Sequence, residues 1–307
     1  MIYLGRFLYL KITNQKQRIK FDESNISYQR CSEVQDEFIY KAFQEGFSDY
    51  LIKFEFSEED FIQRFFGPEG NEKEISFIAF YEEEPVGLIL GGIKNYESIK
   101  TMRCGALAIN PGFRGAGISQ KLFEIHKEEA IKQGCKQLFL EVIVGNDRAI
   151  NFYKSVGYEK IYDIVYYTNS DLAQLKNASR NEENEINEID FSAFKKCIQR
   201  WNYHINWQND IDFLAKSSNN TYYAAYQNSD LIGCLSINQN GNISFLMVDK
   251  QERGKGLGTL LLQTACNNLH LSKMSTGFPN NSLLEGFFKK QGFKKGELAQ
   301  YEMYLPI

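Results

Sequence analysis

Residues 110–122 read NPGFRGAGISQKL. Three glycines surround Arg114 at the point where the apolar run GALAI ends and the amphipathic run ISQKLFEIHKEEAIKQG begins. Because glycine lacks a Cβ atom, successive amides can approach one anion closely, and amides at a helix start also gain the positive end of the helix dipole. The stretch therefore predicts a strand, a turn and a helix, arranged as a phosphate cradle or as an ordinary tight turn with an exposed arginine.

The same pattern occurs twice. FRGAGISQKLF at 113–123 returns as ERGKGLGTLLL at 252–262, and NDRAINFYKSVGY at 146–158 returns as NSLLEGFFKKQGF at 281–293. A repeat of this length indicates two copies of one structural unit, and the presence of two equivalent glycine loops favours the phosphate cradle.

The repeat divides the 307 residues into four parts. Residues 1–24 alternate like an added strand or hairpin and are predicted as an N-terminal β extension. The first unit covers 25–176, the acidic stretch around NASRNEENEINE at 177–188 is a predicted linker, and the second unit covers 189–307. In each unit, hydrophobic periodicity predicts several strands, the glycine loop with its helix, another strand, a second helix and a last strand.

Composition excludes several functions. The formal net charge is -4 and no clustered basic face is present, so nucleic acid is not an expected partner. The six cysteines lie far apart without a C-x-x-C pair, and the three histidines stand alone, so no metal site is predicted. We expect the cysteines to be buried thiols and the histidines to lie on the surface or on helix faces. The first 21 residues are too short and too charged for a secretory or membrane segment, which favours a cytoplasmic protein.

The glycine loops do not match the common nucleotide-binding motifs. Neither copy contains the G-x-x-x-x-G-K-[ST] of a P-loop. A dinucleotide fingerprint would need a third glycine where Gln120 stands, and it would open the domain rather than follow several strands. A nucleotide-dependent oxidoreductase is therefore disfavoured.

LAINPGFRGAGI followed by LFLEVIVGNDRAINFYKSVGY resembles the acetyl-CoA-binding core of the GNAT N-acetyltransferase superfamily. The loop is similar to the family's R-x-x-G-x-G or R-x-x-G-x-A, and the family's later N-x-x-A-x-x-F-Y-x-x-x-G-[FY] is matched at every position. The resemblance implies an α/β fold of two tandem GNAT-type domains, each with a splayed, mainly antiparallel sheet flanked by helices. Ser119, where the family usually has glycine or alanine, is a small departure.

The resemblance also implies which residues bind CoA. Backbone groups of 107–109 would pair with the pantetheine arm, amides of 115–120 would hold the pyrophosphate with Arg114 opening the loop, and Asn146 would meet the pantetheine or cap the following helix. The second glycine loop would be equivalent. The implied residues are Leu107, Ala108, Ile109, Arg114, Gly115, Ala116, Gly117, Ile118, Ser119, Gln120, Asn146, Arg253, Gly254, Lys255, Gly256, Leu257 and Gly258.

Two residues of the first unit are candidate catalytic groups by the same resemblance. Tyr153 stands where the family's tyrosine protonates the leaving thiolate, and Glu141 is similar to the base of ribosomal-protein alanine N-acetyltransferases. From the residues alone, each also fits a plainer role, as a packed tyrosine on a helix face and a solvated glutamate on a half-exposed strand. The second unit has Phe288 and Thr276 at these positions, so we predict that the first unit is catalytic and the second degenerate.

These observations predict an acetyl-CoA-dependent N-acetyltransferase, acting as a monomer or homodimer. It would transfer acetyl directly to a primary amine of a small molecule or peptide in a ternary complex. Phe47, Tyr50 and Phe54 lie where the family contacts its acceptor and are candidate walls of that site. The alternative is a non-catalytic acyl-CoA sensor or interaction protein in which both sites are degenerate.

Overall fold

The computed structural model describes residues 23–176, 185–201 and 203–307. The predicted β extension therefore lies outside the described residues, apart from 23–24. The same holds for residues 177–184 of the predicted linker. Residues 185–188, the remainder of that linker, form the start of a strand in the second unit.

The helices and strands follow the predicted order, except that one short helix at the end of the first unit was not predicted. The described part of the first unit contains β1 (Ile26–Arg30), α1 (Asp36–Gly46), α2 (Glu58–Phe65), β2 (Phe77–Tyr81), β3 (Glu84–Tyr96), β4 (Ile99–Ile109), α3 (Ile118–Lys132), β5 (Gln137–Ile143), α4 (Asp147–Ser155), β6 (Glu159–Asn169) and α5 (Ala173–Lys176). The second contains β7 (Glu185–Ile189), α6 (Phe191–Ile198), α7 (Ile211–Lys216), β8 (Asn220–Gln227), β9 (Asp230–Asn238), β10 (Asn242–Val248), α8 (Leu257–Asn268), β11 (Met274–Pro279), α9 (Ser282–Lys290) and β12 (Lys294–Pro306).

One mixed sheet runs through both units. Among the described residues its strand order is β1-β2-β3-β4-β5-β12-β6-β11-β10-β9-β8-β7, so each strand has its counterpart from the other unit at the mirrored position. The pairs β4·β5 and β10·β11 are parallel, and the other neighbours are antiparallel. The predicted fold class is confirmed, since the sheet is mixed, mainly antiparallel and flanked by helices.

The last strands of the two units are exchanged at the centre of this sheet. β12 lies between β5 and β6, and its Glu302 is opposite Glu141 on one side and Tyr162 on the other. β6 in turn pairs with β11 of the second unit. Each unit thus supplies a strand that completes the sheet of the other, which the sequence repeat does not predict.

Helices cover both faces of the sheet. In β3, Leu88 and Leu90 belong to the core beneath α1 and α2, whereas Ile89 belongs to the core beneath α3. This two-residue alternation explains why most of β3 is buried, since both of its faces are covered. In the second unit α8 covers one face and α6 and α7 cover the other. All six cysteines are buried and free, as predicted.

A search of the described residues finds no helix with both the length and the apolar character that crossing a membrane requires.

Candidate functional site

The sheet opens at the same place in each unit. β4 and β5 are paired at 101–103 and 137–139, and beyond these residues the two strands diverge. The divergence forms a cleft of about 510 Å³ lined by 103–109 of β4 and 141–143 of β5. β10 and β11 are paired only at 242–243 and 275–276, and a second cleft of about 340 Å³ opens beside them.

A glycine loop lies at the mouth of each cleft. Gly115 and Gly117 have φ angles of +87° and +74°, and apart from the adjacent residues no described atom lies within 4 Å of a Cβ built on either one. α3 begins directly after Gly117, and no described side chain caps its N-terminus. Because amides in the first turn of a helix have no partner within the helix, those of 118–120 can bind an anion. Gly254 and Gly256 precede α8 with the same geometry.

The arginines of these loops hold the loops in place. Arg114 Nε donates to the carbonyl oxygen of Ile109 at 3.1 Å, and its Nη atoms bind both carboxylate oxygens of Asp49 at 2.5 and 2.8 Å. Arg253 Nε donates to the carbonyl oxygen of Val248 at 3.0 Å. Each arginine therefore ties the loop to the end of the preceding strand, and Arg114 also ties it to the segment after α1.

Asn146 caps the helix that carries the predicted acid. Its Oδ1 accepts a hydrogen bond from the amide of Ala149 at 3.3 Å. Asn281 caps α9 in the same way through the amide of Leu284 at 3.1 Å. Of the two predicted roles of Asn146, the structure shows the cap, and the side chain also lines the first cleft.

Tyr153 lines the first cleft from α4. Its side chain is buried, and its hydroxyl lies 3.9 Å from Cys104 Sγ on β4. Burial raises the pKa of Tyr153 well above its ordinary value. The phenol therefore stays neutral at physiological pH and retains a proton that it can donate.

Glu141 lines the same cleft from β5. Its side chain is only 2% exposed, so it is not the solvated strand residue of the plainer interpretation. Oε2 accepts a hydrogen bond from Arg103 Nη2 at 2.9 Å, and Oε1 has no hydrogen-bond partner among the described residues. Burial raises the pKa of Glu141 to about 7, although the Arg103 charge opposes this change. A carboxyl group with this pKa can accept and release a proton near neutral pH.

Three residues that the sequence did not single out complete this end of the cleft. Arg103 also pairs with Glu69, Nη1 to Oε2, at 3.0 Å, and Gln208 Nε2 donates to the same oxygen at 3.2 Å. Burial alone would raise the pKa of Glu69, but the ion pair with Arg103 lowers it. Arg103 could have been recognised from the sequence, because it is a charged residue inside the apolar strand TMRCGALAI. Gln208 belongs to the second unit and had no local signal.

Aromatic side chains form the opposite wall. Phe47, Tyr50 and Phe54 all line the first cleft, and the Tyr50 and Phe54 rings stack at 5.8 Å. The structure therefore brings the predicted acceptor wall into the same cavity as Tyr153 and Glu141.

The second cleft differs in its catalytic positions. Phe288 is buried and stacks on Phe278 at 5.7 Å, and the Thr276 hydroxyl donates to the carbonyl oxygen of Ile243 at 3.0 Å. Among the described residues, neither Phe288 nor Thr276 lines the second cleft. The second unit thus keeps the glycine loop, but the counterparts of Tyr153 and Glu141 do not line the cleft beside it.

Two family models match the chain in tandem. The Acetyltransferase (GNAT) family model matches residues 37–158, and the Acetyltransferase (GNAT) domain model matches residues 179–306. The chain belongs to the GNAT acetyltransferase family. This tandem GNAT protein is an acyltransferase of the N-acetyltransferase class, and the repeat in its sequence corresponds to the two family domains.

Known proteins resemble it at low identity. N-alpha-acetyltransferase 30 of Dictyostelium discoideum is 25% identical over 146 residues, which cover 47% of this chain and 72% of the relative. A GCN5-related N-acetyltransferase from Sphaerobacter thermophilus has a TM-score of 0.67 at 12% identity, covering 92% of this chain and 96% of that one. A tandem GNAT protein from the clavulanic acid biosynthesis pathway has a TM-score of 0.66 at 14% identity, with coverage of 92% and 98%. The solved structures support the fold.

Two histidines of the tandem GNAT protein are shielded from solvent, His126 completely and His204 through most of its side chain. His126 lies on the inner face of α3, where neither ring nitrogen has a partner among the described residues, and burial lowers its pKa to about 4. His204 lies between the carboxylates of Glu97 and Glu302, at 2.7 and 2.5 Å. The expectation of a surface position is therefore wrong for His204, whose side chain is only 9% exposed.

Proposed function

We propose that this tandem GNAT protein transfers the acetyl group of acetyl-CoA to a primary amine in the first cleft, within a ternary complex. One observation carries the proposal: Glu141 and Tyr153 line the same cleft, whose mouth is a glycine cradle with free helix amides. Either residue alone, or a cradle alone, would fit a structural role.

The first cleft suits the shape of CoA. Leu107, Ala108 and Ile109 lie on the part of β4 that has separated from β5, so their backbone groups can pair with an extended pantetheine arm as an added strand. The amides of 115–120 would hold the pyrophosphate at the start of α3. When bound there, acetyl-CoA supplies the thioester whose acetyl group is transferred.

Glu141 and Tyr153 divide the proton transfers. Glu141, with a pKa of about 7, takes a proton from the substrate ammonium group so that the nitrogen can attack. Tyr153, neutral because it is buried, gives its proton to the departing sulfur. Arg103 holds Glu141 at 2.9 Å and fixes the direction of its carboxylate.

The second unit is proposed to bind CoA without catalysing transfer. Its loop at 253–258 repeats the cradle, while Phe288 cannot donate a proton. It supports the first cleft through β12, which pairs with β5, and through Gln208, which binds Glu69.

The acceptor is proposed to be a cationic amine with an apolar body, in a small molecule or a peptide. Glu69 and Glu141 share one guanidinium group, so this end of the cleft can attract a positive charge. The aromatic wall at 47–54 suits the apolar part of such a molecule. Because the Dictyostelium relative is named an N-alpha-acetyltransferase, peptides with a free N-terminus belong in the substrate panel.

The test is the release of free thiol from acetyl-CoA with a panel of tyramine, spermidine, kanamycin and short peptides. Tyr153→Phe should lower kcat by about 100-fold or more and leave CoA affinity nearly unchanged, because it removes one proton and no packing volume. Phe288→Leu is the matched variant in the second unit and should change kcat little. Tight CoA binding without thiol release for any amine would overturn the proposed function, and full activity of Tyr153→Phe would overturn the assignment of the acid.

A further inference from the structure

Two buried glutamates lie opposite each other on the neighbouring strands β5 and β12. Glu302 of β12 is directly opposite Glu141 of β5 in the antiparallel register, and such side chains lie on one face with Cβ atoms about 5 Å apart. Glu302 is 0% exposed. In both residues Oε1 has no hydrogen-bond partner among the described residues. A buried polar atom without a partner is costly, so two of them side by side indicate a shared proton or a bridging water between these carboxyl groups.

From Glu302 a row of hydrogen bonds leads to the surface. Its Oε2 lies 2.5 Å from His204 Nε2, and His204 Nδ1 lies 2.7 Å from Glu97 Oε1. The Glu97 side chain is 48% exposed, so the row ends in water. Tyr162 stacks on the His204 ring at 3.9 Å with an interplanar angle of 13°, which fixes the plane in which both ring nitrogens point.

We propose that Glu302, His204 and Glu97 form a proton relay that carries the amine proton from Glu141 to solvent. The relay rests on the proposed function and adds to it an exit route that does not pass through the substrate-filled cleft. Glu302 and His204 come from the second unit, whereas Glu141 and Glu97 come from the first. The relay therefore gives the second unit a role in each catalytic cycle without CoA chemistry of its own.

The proton balance of acetyl transfer requires such an exit. The reaction forms a C–N bond and breaks a C–S bond, and the substrate nitrogen changes from an ammonium group to an amide. Two protons leave the nitrogen. One replaces the proton that Tyr153 gives to the sulfur, and the other is released to water. The relay carries the second proton, from Glu141 through Glu302 to His204 and Glu97, with no oxidant or co-reactant.

The charges around the relay are already paired. Arg103 binds Glu141 and Glu69, and Lys94 binds Asp210 at 2.5 Å. Burial would lower the pKa of His204, but its hydrogen bonds to the two carboxylates raise it, so the ring readily takes up a proton. The titratable and charged groups that face the relay from the packed elements are Glu69, Lys94, Tyr96, Arg103, Tyr162, Tyr166, Asp210 and Tyr304.

The test compares Glu302→Gln and His204→Gln with the wild-type protein, using the amine of the panel that releases most thiol. Glutamine keeps a hydrogen-bonding group but cannot carry a proton. We expect kcat at saturating substrates and pH 7 to fall about 10-fold or more, while KM for acetyl-CoA stays within about twofold. Added imidazole should restore kcat of His204→Gln in proportion to its concentration and leave the wild type unaffected. Tyr304→Phe, which removes a hydroxyl 3.4 Å from Glu302 Oε2, is the matched control and should keep kcat.

The outcomes separate the relay from the proposed function. If Glu141→Gln is inactive while Glu302→Gln and His204→Gln keep the wild-type kcat and pH profile, the relay is wrong and the acetyltransferase assignment stands. A fall in the kcat of His204→Gln that imidazole does not reverse indicates a structural role and also overturns the relay. If Glu302→Gln does not fold, His204→Gln decides the question by the same two measurements. A wild-type protein that releases no thiol with any amine overturns both proposals.

Discussion

Replacing Glu141 with glutamine should change stability and activity in opposite directions. Glu141 is buried, and burial raises its pKa to about 7, compared with 4.5 for a free glutamate. A folded-state pKa above the unfolded value means that the folded protein holds this proton more tightly. Protonation of Glu141 therefore stabilises the folded state. This stabilisation is complete below about pH 4.5 and is lost as the pH rises through 7.

The size of this effect follows from the same two values. At about 1.36 kcal/mol per pH unit, the difference between 4.5 and about 7 corresponds to about 3 kcal/mol, most of it lost between pH 5 and pH 8. Glutamine has no charge to bury. The stability of the wild type relative to Glu141→Gln should therefore fall by about 2 to 3 kcal/mol over this interval. The variant should also lose transfer activity by about 100-fold or more, since it has no base.

Urea unfolding of both proteins at pH 5, 6, 7 and 8 measures the stability difference, and thiol release over the same range measures activity. The wild-type rate should rise with pH and level off above about 7, where Glu141 is deprotonated. Glu128→Gln, at an exposed site on α3, is the control and should show neither effect. A stability difference that stays constant from pH 5 to pH 8 would show that ionisation of Glu141 does not destabilise the folded protein.

Three further predictions concern other parts of the molecule. His126→Leu should lose less stability at low pH than the wild type does. Burial lowers the pKa of His126 from 6.5 to about 4, so about 3 kcal/mol of wild-type stability is lost as the pH falls through that range. Urea unfolding at pH 4.5 and 7 measures this loss, and an equal loss in both proteins would contradict the prediction. Asp49→Asn should tighten CoA binding about threefold in low salt, because Asp49 binds Arg114 at the cradle, and the gain should disappear in high salt. Calorimetric titration measures this, and unchanged affinity in low salt would count against a competing role for Asp49. Residues 23–176 and 185–307 should each aggregate when expressed alone and become soluble when coexpressed, because each leaves central strand edges unpaired without the other. A monomeric, folded 23–176 in size-exclusion chromatography would show that β12 is dispensable.

Most of the fold could be predicted because its signals are local. The glycine loop at 113–118, the cap at Asn146 and the alternation in β3 act within a few residues, so they can be read without tertiary information. Because the repeat shows each of these patterns twice, the order of helices and strands could be predicted for both units. The three stretches of the first unit that are predicted to contact CoA, at 107–109, 114–120 and Asn146, lie along one cleft.

The environment of the candidate catalytic residues could not be predicted. The alternation of LFLEV is compatible with a solvated or a buried Glu141, and the difference depends on what covers that face of the sheet. The cover comes from β12 and from the loop that carries His204 and Gln208, both more than 60 residues away along the chain. Sequence spacing gives no measure of such contacts, so Arg103 and Glu302 were missed as partners.

Local sequence patterns were enough to predict two units, their order of helices and strands, two glycine loops, and the contrast between Tyr153 and Phe288. These properties depend on side-chain type and on spacing over one turn or one strand. The exchange of β6 and β12, which sets the partners of Glu141, could be seen only in the folded chain. β6 and β12 are equivalent strands of a repeat, so either could satisfy the same backbone hydrogen bonds at the edge of β5. The choice between them is made by packing across the whole sheet.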